Sequence, residues 1–542
     1  MLTMKVAGAQ AASSISDLQV YSQGRDGVTR SEARAAANAR ALVGPGHGGS
    51  FAGDAARGGA IAFGGQISRL ILQLLGTAIM SRLLAPADFG LIAMAVTVTG
   101  FVGMFTDMGL SVATIQRSEV SQPLVSTLLF VNLGVGVILM LIAAIAAPFA
   151  AMLYADPRVT WLVIGMAMSI PLAAAVAQHN ALLARSMRWM PLQLIAFAAQ
   201  AIGLVVGVLL AWKADAGVWA LVAQMVTASV VTLISTWIVC DWRPTRVDNW
   251  RVAQAELGFG ANVTGFALLN FLHRQFDNVL IGWRWGAVEL GFYARAYNLL
   301  TLPIGLINGS LSSSAIPILS KCKDDPERWN AAYLRLATVT AFMGCGLCAV
   351  VFVIADPLVD IVLGPGWHEV SVIFRVLAIS SIFGTASNSC GWVFISLGRT
   401  RQYLYWSLFG CPLYALSFVL GLPWKAEGVA IGYAICAFAL TPLYFAYAMR
   451  QTTIGMATLA RWMVPVLVAA MLAIGTGELV NLTTVGKHDI VRIIIGGATV
   501  GITYLALAAA CLYGLAHYRP MQWMLHDLVG PVFRRFGLGS KA

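Results

Sequence analysis

Two groups of polar side chains fall inside long apolar stretches, where a single charge costs at least ~2.5 kcal/mol at the centre of a bilayer. The first is Gln66, Arg69 and Gln73. Their i, i+3, i+7 spacing gathers them on one helical face about 60° wide and leaves Leu70, Ile71, Leu74 and Leu75 to cover the rest. The second is Asn270, His273, Arg274 and Asp277, spaced i, i+3, i+4, i+7, with Asn278 beside them. Arg69 has no acidic neighbour in its own segment, and Arg274 has only Asp277 one turn on, so the two faces together carry a positive field. A guanidinium offers a fork of donors matched to phosphate oxygens and stays protonated when poorly solvated. The chemistry is therefore capture of an anion, with Asp277 orienting Arg274 and the amides and His273 supplying further polar contacts. The competing arrangement pairs Arg69 with Asp107 and Arg274 with Asp277 as interhelical staples.

Other isolated groups carry less. Asp107 and His179 are candidate proton or cation sites, or else buried partners in interhelical hydrogen bonds. Arg295, flanked by Tyr293 and Tyr297, fits either a cavity mouth or an interfacial anchor. Arg335 and Arg375 lie near segment ends, where they can snorkel. Cys345 and Cys348 form a C-x-x-C one turn apart inside an apolar segment, with no second ligand pair, and read as small core residues. No G-x-x-x-x-G-K-[ST] occurs, so no ATPase of the P-loop kind is encoded. Acidic residues 324, 325 and 327 adjoin Lys321, Lys323 and Arg328 and read as a solvated mixed-charge loop. No catalytic residue, metal ligand or cofactor is expected.

The elements that position these residues follow from composition: 542 residues, 59% hydrophobic and 11% charged, with a mean hydropathy of +0.78. About 20 apolar residues cross a bilayer core of about 30 Å. Segments of that size recur at 60–81, 90–114, 123–150, 159–183, 192–212, 217–240, 257–281, 291–317, 332–355, 369–396, 402–421, 428–449, 462–480 and 491–516. The chain is expected to be an all-α polytopic membrane protein of about 14 transmembrane helices. Its first six segments echo the next six, which implies two pseudo-symmetric six-helix lobes plus two C-terminal helices. The polar faces of segments one and seven then oppose each other across the central axis. Expected boundaries are a disordered tail at 1–57, lobes at 58–245 and 246–450, the extra helices at 451–518 and a C-terminal tail at 519–542. One set of connections holds thirteen Lys and Arg residues and the other seven, which places both termini in the cytoplasm. The net charge of +11 is thus spent on topology and not on nucleic acid.

Ser81-Arg82-Leu83-Leu84-Ala85-Pro86-Ala87-Asp88-Phe89-Gly90-Leu91, after the first segment, resembles the R-x-L-x-P-x-x-F-G signature of bacterial polysaccharide-export flippases. Leu290-Gly291-Phe292-Tyr293-Ala294-Arg295-Ala296-Tyr297, followed by Pro303 and Pro317, is similar to the second-lobe L-G-x-Y-x-x-A motif of that family, which belongs to the multidrug, oligosaccharidyl-lipid and polysaccharide exporter superfamily. The resemblance covers about 60–520. It implies a flippase of the bacterial inner membrane that moves undecaprenyl-pyrophosphate-linked oligosaccharide for exopolysaccharide, capsule or lipopolysaccharide assembly. A polysaccharide polymerase and a chain-length regulator are the implied partners, beside the lipid-linked substrate and membrane lipids. On that reading Arg69, Arg274 and Asp277 hold the headgroup, with Gln66, Gln73, Asn270 and His273 meeting sugar or phosphate, while Pro171, Pro303, Pro317 and Pro442 permit bends. The last two helices either form a portal for the lipid tail or pad the second lobe. Two alternatives stand beside it. A cation-coupled drug exporter of the same superfamily should carry an acidic cavity, and a membrane glycan polymerase should carry longer outward loops.

Overall fold

The computed structural model describes residues 51–117, 120–245, 250–484 and 486–514, together with positions 35, 38, 39 and 42. Side chains are described at those four positions and from residue 58 onward within the stretches, except for 60, 250–270, 272–273 and 511–514. Asn270, His273 and nearly all of the expected tails lie outside these limits.

Lipid offers no partner for a backbone N–H or C=O, so a chain this apolar satisfies its backbone within helices. Every regular element among the described residues is helical. The first half holds α1 (Phe51–Leu83), α2 (Pro86–Gly103), α3 (Leu110–Gln116), α4 (Gln122–Tyr154), α5 (Arg158–Ala167), α6 (Ser169–Arg185), α7 (Trp189–Lys213) and α8 (Val218–Val239). The second holds α9 (Trp250–Lys321), α10 (Pro326–Val353), α11 (Ala355–Val362), α12 (His368–Ser396), α13 (Thr400–Gly421), α14 (Lys425–Met449), α15 (Met456–Thr483) and α16 (Asp489–Gly514). Eleven helical segments among the described residues are long and apolar enough to cross a membrane.

Three features depart from a plain series of spans. The second expected span breaks at 104–109 between α2 and α3, where Met108 and Gly109 take φ of 45° and 73°. The fourth bends at Met168 between α5 and α6, just ahead of Pro171. The seventh and eighth run as one element interrupted at Gly286, whose φ of 78° and ψ of −167° only glycine adopts readily. The chain folds back there, because the Tyr293 hydroxyl reaches the carboxylate of Asp277, sixteen positions earlier.

Side-chain size is sorted inside out. On α4, Ala143, Ala147, Ala150 and Tyr154 are buried, whereas Ile138, Leu141, Ile145, Phe149 and Met152 are exposed. Hydrophobic exclusion does not drive helices together in lipid, so small residues that let backbones approach do that work. Gly203 against the Gln224 carbonyl, and Gly421 against the backbone of Gly428, are such approaches.

The cores define how the halves meet. One cluster runs from Met80 to Val222 in the first half and from Ile281 to Ala430 in the second, fusing the halves at the end that carries the 84–86 turn and Gly286. At the opposite end the buried clusters are separate, Val125 to Trp242 in the first half and Ala315 to Tyr504 in the second. The helices α15 and α16 lie along α10: Tyr504 donates to the Phe342 carbonyl (2.8 Å) and Asn481 to that of Val353 (2.8 Å). Asn38, within the expected tail, meets the first half. Its amide donates to the Arg243 carbonyl (3.0 Å) and accepts from the Arg243 N–H (2.7 Å).

Candidate functional site

A cavity of about 550 Å3 opens within the second half, lined by Arg274 and Asp277 from α9 before its break and by Tyr293, Tyr297 and Asn308 after it. Ser380, Thr385 and Asn388 of α12, Tyr403 and Tyr414 of α13, and Tyr433 and Tyr444 of α14 complete the wall. The break at Gly286 sets this geometry, since it brings Tyr293 back over Asp277. Asp277 is 5% exposed. One carboxylate oxygen accepts from the Tyr293 hydroxyl (2.7 Å) and the other from the Asn278 backbone N–H (2.8 Å).

Neither staple suggested by spacing is formed. Among the described residues no ion pair within 4.0 Å joins Arg274 to Asp277 or Arg69 to Asp107. Asp277 is held by a tyrosine because the helix turn points its carboxylate into the hairpin, while Arg274 stays exposed at the cavity wall. A guanidinium without a carboxylate, beside hydroxyls and amides and at membrane depth, is suited to a polar anion entering the cavity.

The first-half residues are placed differently. Gln66 and Gln73 are exposed on α1, Arg69 is half-buried, and none of the three belongs to this cavity's lining. Arg69 packs where α1 meets α7: its carbonyl accepts from the Gln200 amide (3.2 Å), and its Nε is buried without a hydrogen-bond partner. Asp107 sits in the 104–109 break, accepting from the Ser111 hydroxyl (2.6 Å) and from the Asn132 amide (3.3 Å). His179 is wholly buried with its ring between Trp237 and Trp242, centroids at 4.7 and 5.0 Å. Arg295 turns away from the cavity toward the joint between halves, its guanidinium 3.8 Å from the centre of the Phe89 ring. Arg375 does not snorkel alone; it pairs with Asp356 at 2.7 Å.

The joint itself is made by the two sequence motifs. A Cβ on Gly90 would overlap the Ala287 carbonyl, and one on Gly291 would overlap that of Pro86. Arg82 donates to the Ile361 carbonyl (2.6 Å), and the Trp367 indole donates to that of Ser81 (3.0 Å) while its ring packs 5.4 Å from Phe89.

Sequence reasoning missed the tyrosines. A signal was present: Tyr403 and Tyr414, and likewise Tyr433 and Tyr444, stand eleven positions apart, about three helical turns, so each pair shares one face.

A family model described as polysaccharide biosynthesis protein matches residues 79–372. The teichuronic acid biosynthesis protein TuaB of Bacillus subtilis (strain 168) is 27% identical over 349 residues, 64% of this chain and 72% of that protein. The succinoglycan biosynthesis transport protein ExoT of Rhizobium meliloti (strain 1021) is 24% identical over 62% of this chain and 68% of its own. Among solved structures, the lipid II flippase MurJ in its inward closed conformation superposes with a TM-score of 0.66, covering 85% of this chain and 99% of that one at 11% identity. That likeness establishes the fold.

Proposed function

The chain belongs to the polysaccharide biosynthesis protein family, and from that premise we propose that it is a flippase for undecaprenyl-pyrophosphate-linked oligosaccharide in the bacterial inner membrane. Fourteen spans would form two six-helix lobes and an added pair, with both termini cytoplasmic as the distribution of Lys and Arg favours. The observation that carries the reading is the cavity of Arg274, Asp277 and six tyrosines, a polar volume enclosed by helices whose outer faces are apolar. A pyrophosphate needs a free guanidinium, a sugar chain needs hydroxyls, amides and aromatic faces, and a polyprenyl tail needs only lipid. Arg274 supplies the first and the cavity wall the second.

In the proposed orientation the fused end faces outward, so the halves rock apart there and together at the opposite end to expose the cavity alternately. Arg69 would meet the headgroup from the opposing half during that motion. A polymerase and a chain-length regulator would take the repeat unit once it reaches the outer leaflet.

Replacing Arg274 by Ala should stop export of the repeat unit while protein abundance stays near normal, because removing an unpaired intramembrane charge relieves an insertion cost. Arg274→Lys keeps the charge without the fork and should retain part of the activity. The measurement is accumulation of lipid-linked oligosaccharide on the inner leaflet, read beside the amount of protein in the membrane. Normal export by Arg274→Ala would defeat the proposal.

A further inference from the structure

On α4 the outward side chains are large, whereas the outward side of α13 and α14 is hollow. Gly428 meets the backbone of Gly421 and Gly432 meets the Ser417 carbonyl, so these two helices cross at backbone distance. Ser417, Gly428, Gly432 and Cys436 then form a recessed floor, while Leu416, Leu420, Ile431 and Ile435 stand exposed along its sides. The result is an apolar groove of about 750 Å3 that shares no lining residue with the tyrosine cavity.

Its length and its charge both describe a single lipid. From Glu427 to Leu440 the groove follows about 20 Å of helix, at about 1.5 Å per residue, against about 15 Å for half of a bilayer core. Trp424, 71% exposed, closes the end next to the Gly286 break, where Trp285 donates to the Leu422 carbonyl at 2.8 Å. Indoles gather at the membrane interface, so this is the end at which a head group lies. Glu427 lines the groove there, half-buried, and among the described residues no cationic side chain lies within 4.0 Å of its carboxylate. Lys425 holds Glu289 instead, at 2.6 Å, and its ammonium keeps further donors. An acid in the first turn of α14 also opposes the helix dipole, but that role needs no place inside an apolar groove.

From this arrangement we propose that the α13–α14 groove binds one phospholipid with a primary-ammonium head group, its ammonium on Glu427, its phosphate on Lys425 and an acyl chain along the floor. A carboxylate and an ammonium that carries N–H donors form a charge-assisted hydrogen bond, roughly twice as strong as a neutral one. A trimethylated ammonium has no N–H to give. An anionic head group, or the phosphate of a polyprenyl carrier, would bring like charge to Glu427 with no ammonium to offset it.

The test uses the purified full chain in detergent micelles supplemented with phosphatidylethanolamine, its trimethylated form phosphatidylcholine, phosphatidylglycerol or undecaprenyl phosphate. Bound lipid is counted by native mass spectrometry, and stability is followed as Tm. Phosphatidylethanolamine should bind one to one and raise Tm by several degrees over the other three, since a ligand bound only to the folded state stabilises it by mass action. Glu427→Gln should weaken that binding about tenfold, the equivalent of about 1.4 kcal/mol, and remove the lead over phosphatidylglycerol. Ala439→Trp fills the groove from an exposed lining position and should weaken binding as well. The head-group comparison on the natural chain decides the matter if neither variant folds. No preference for phosphatidylethanolamine, equal binding of phosphatidylcholine, an undiminished preference in Glu427→Gln, or undiminished binding in Ala439→Trp would overturn the assignment. Undecaprenyl phosphate displacing phosphatidylethanolamine would overturn it too, by giving the groove to the carrier's tail. No readout requires transport, so the result is independent of the fate of the proposed function.

Discussion

The two ends of the molecule are built by opposite means. At the fused end backbones touch: Gly90 meets Ala287, Gly291 meets Pro86, and Arg82 and Trp367 cross between halves to carbonyls at 2.6 and 3.0 Å. At the other end each half keeps its own core, and the tyrosine cavity lies within the second half alone among the residues that line it. The contrast teaches where a sequence signature acts. The R-x-L-x-P-x-x-F-G and L-G-x-Y residues are mostly those of the joint, and only Tyr293 and Tyr297 among them also face the cavity.

The largest expected effect comes from wedging the joint. Gly90→Val would push a side chain into the Ala287 carbonyl, and overpacking of this kind costs about 1–3 kcal/mol or more, roughly fivefold to over a hundredfold in the balance between closed and open forms. With a reporter cysteine at Ser381 in the cavity wall and the other cysteines replaced, labelling of intact cells by an impermeant thiol reagent should rise steeply. Unchanged labelling would mean that the fused end does not face outward or does not control access.

A smaller effect is expected from Arg82→Ala, which removes one hydrogen bond across the joint but no packing in its centre. Arg82 is exposed, so the loss should be about 1 kcal/mol, or about a fivefold gain in labelling of the same reporter. Trp367→Phe, which keeps the ring contact with Phe89 and loses the bond to Ser81, should behave alike. If either single change matched Gly90→Val, the joint would be held by its polar contacts and not by its backbone packing.

Much of this fold was legible because the bilayer enforces it. The expected spans fall mostly on helix among the described residues, with interruptions at 104–109, Met168 and Ile354, and polarity within a span pointed to Arg274, Asp277 and Asp107. What spacing could not reveal was partner choice. The i, i+3 relation of Arg274 to Asp277 suggested an ion pair, yet the hairpin at Gly286 delivers Tyr293 to the carboxylate first, and nothing local to either segment announces that reversal. Arg69 shows the same limit: it packs where α1 meets α7, and nothing local to α1 announces that neighbour. Tyrosines escaped notice because in a membrane segment they read as apolar filling, and only their eleven-residue spacing distinguishes them.

The smallest effect belongs to the end where the halves remain separate. Asn38→Ala removes two side-chain hydrogen bonds to the Arg243 backbone, at 3.0 and 2.7 Å, and this contact lies wholly within the first half. Two exchanged bonds of ordinary strength contribute about 1–3 kcal/mol together, enough to lower the Tm of the purified protein by a few degrees. Because the contact does not span the joint, it should leave labelling of the Ser381 reporter and export per molecule unchanged, and deletion of residues 2–34 should do less still. A change in labelling on Asn38→Ala would show that the Asn38 contact senses how the halves are disposed, and the contrast between a gated end and a merely structural one would then have to be redrawn.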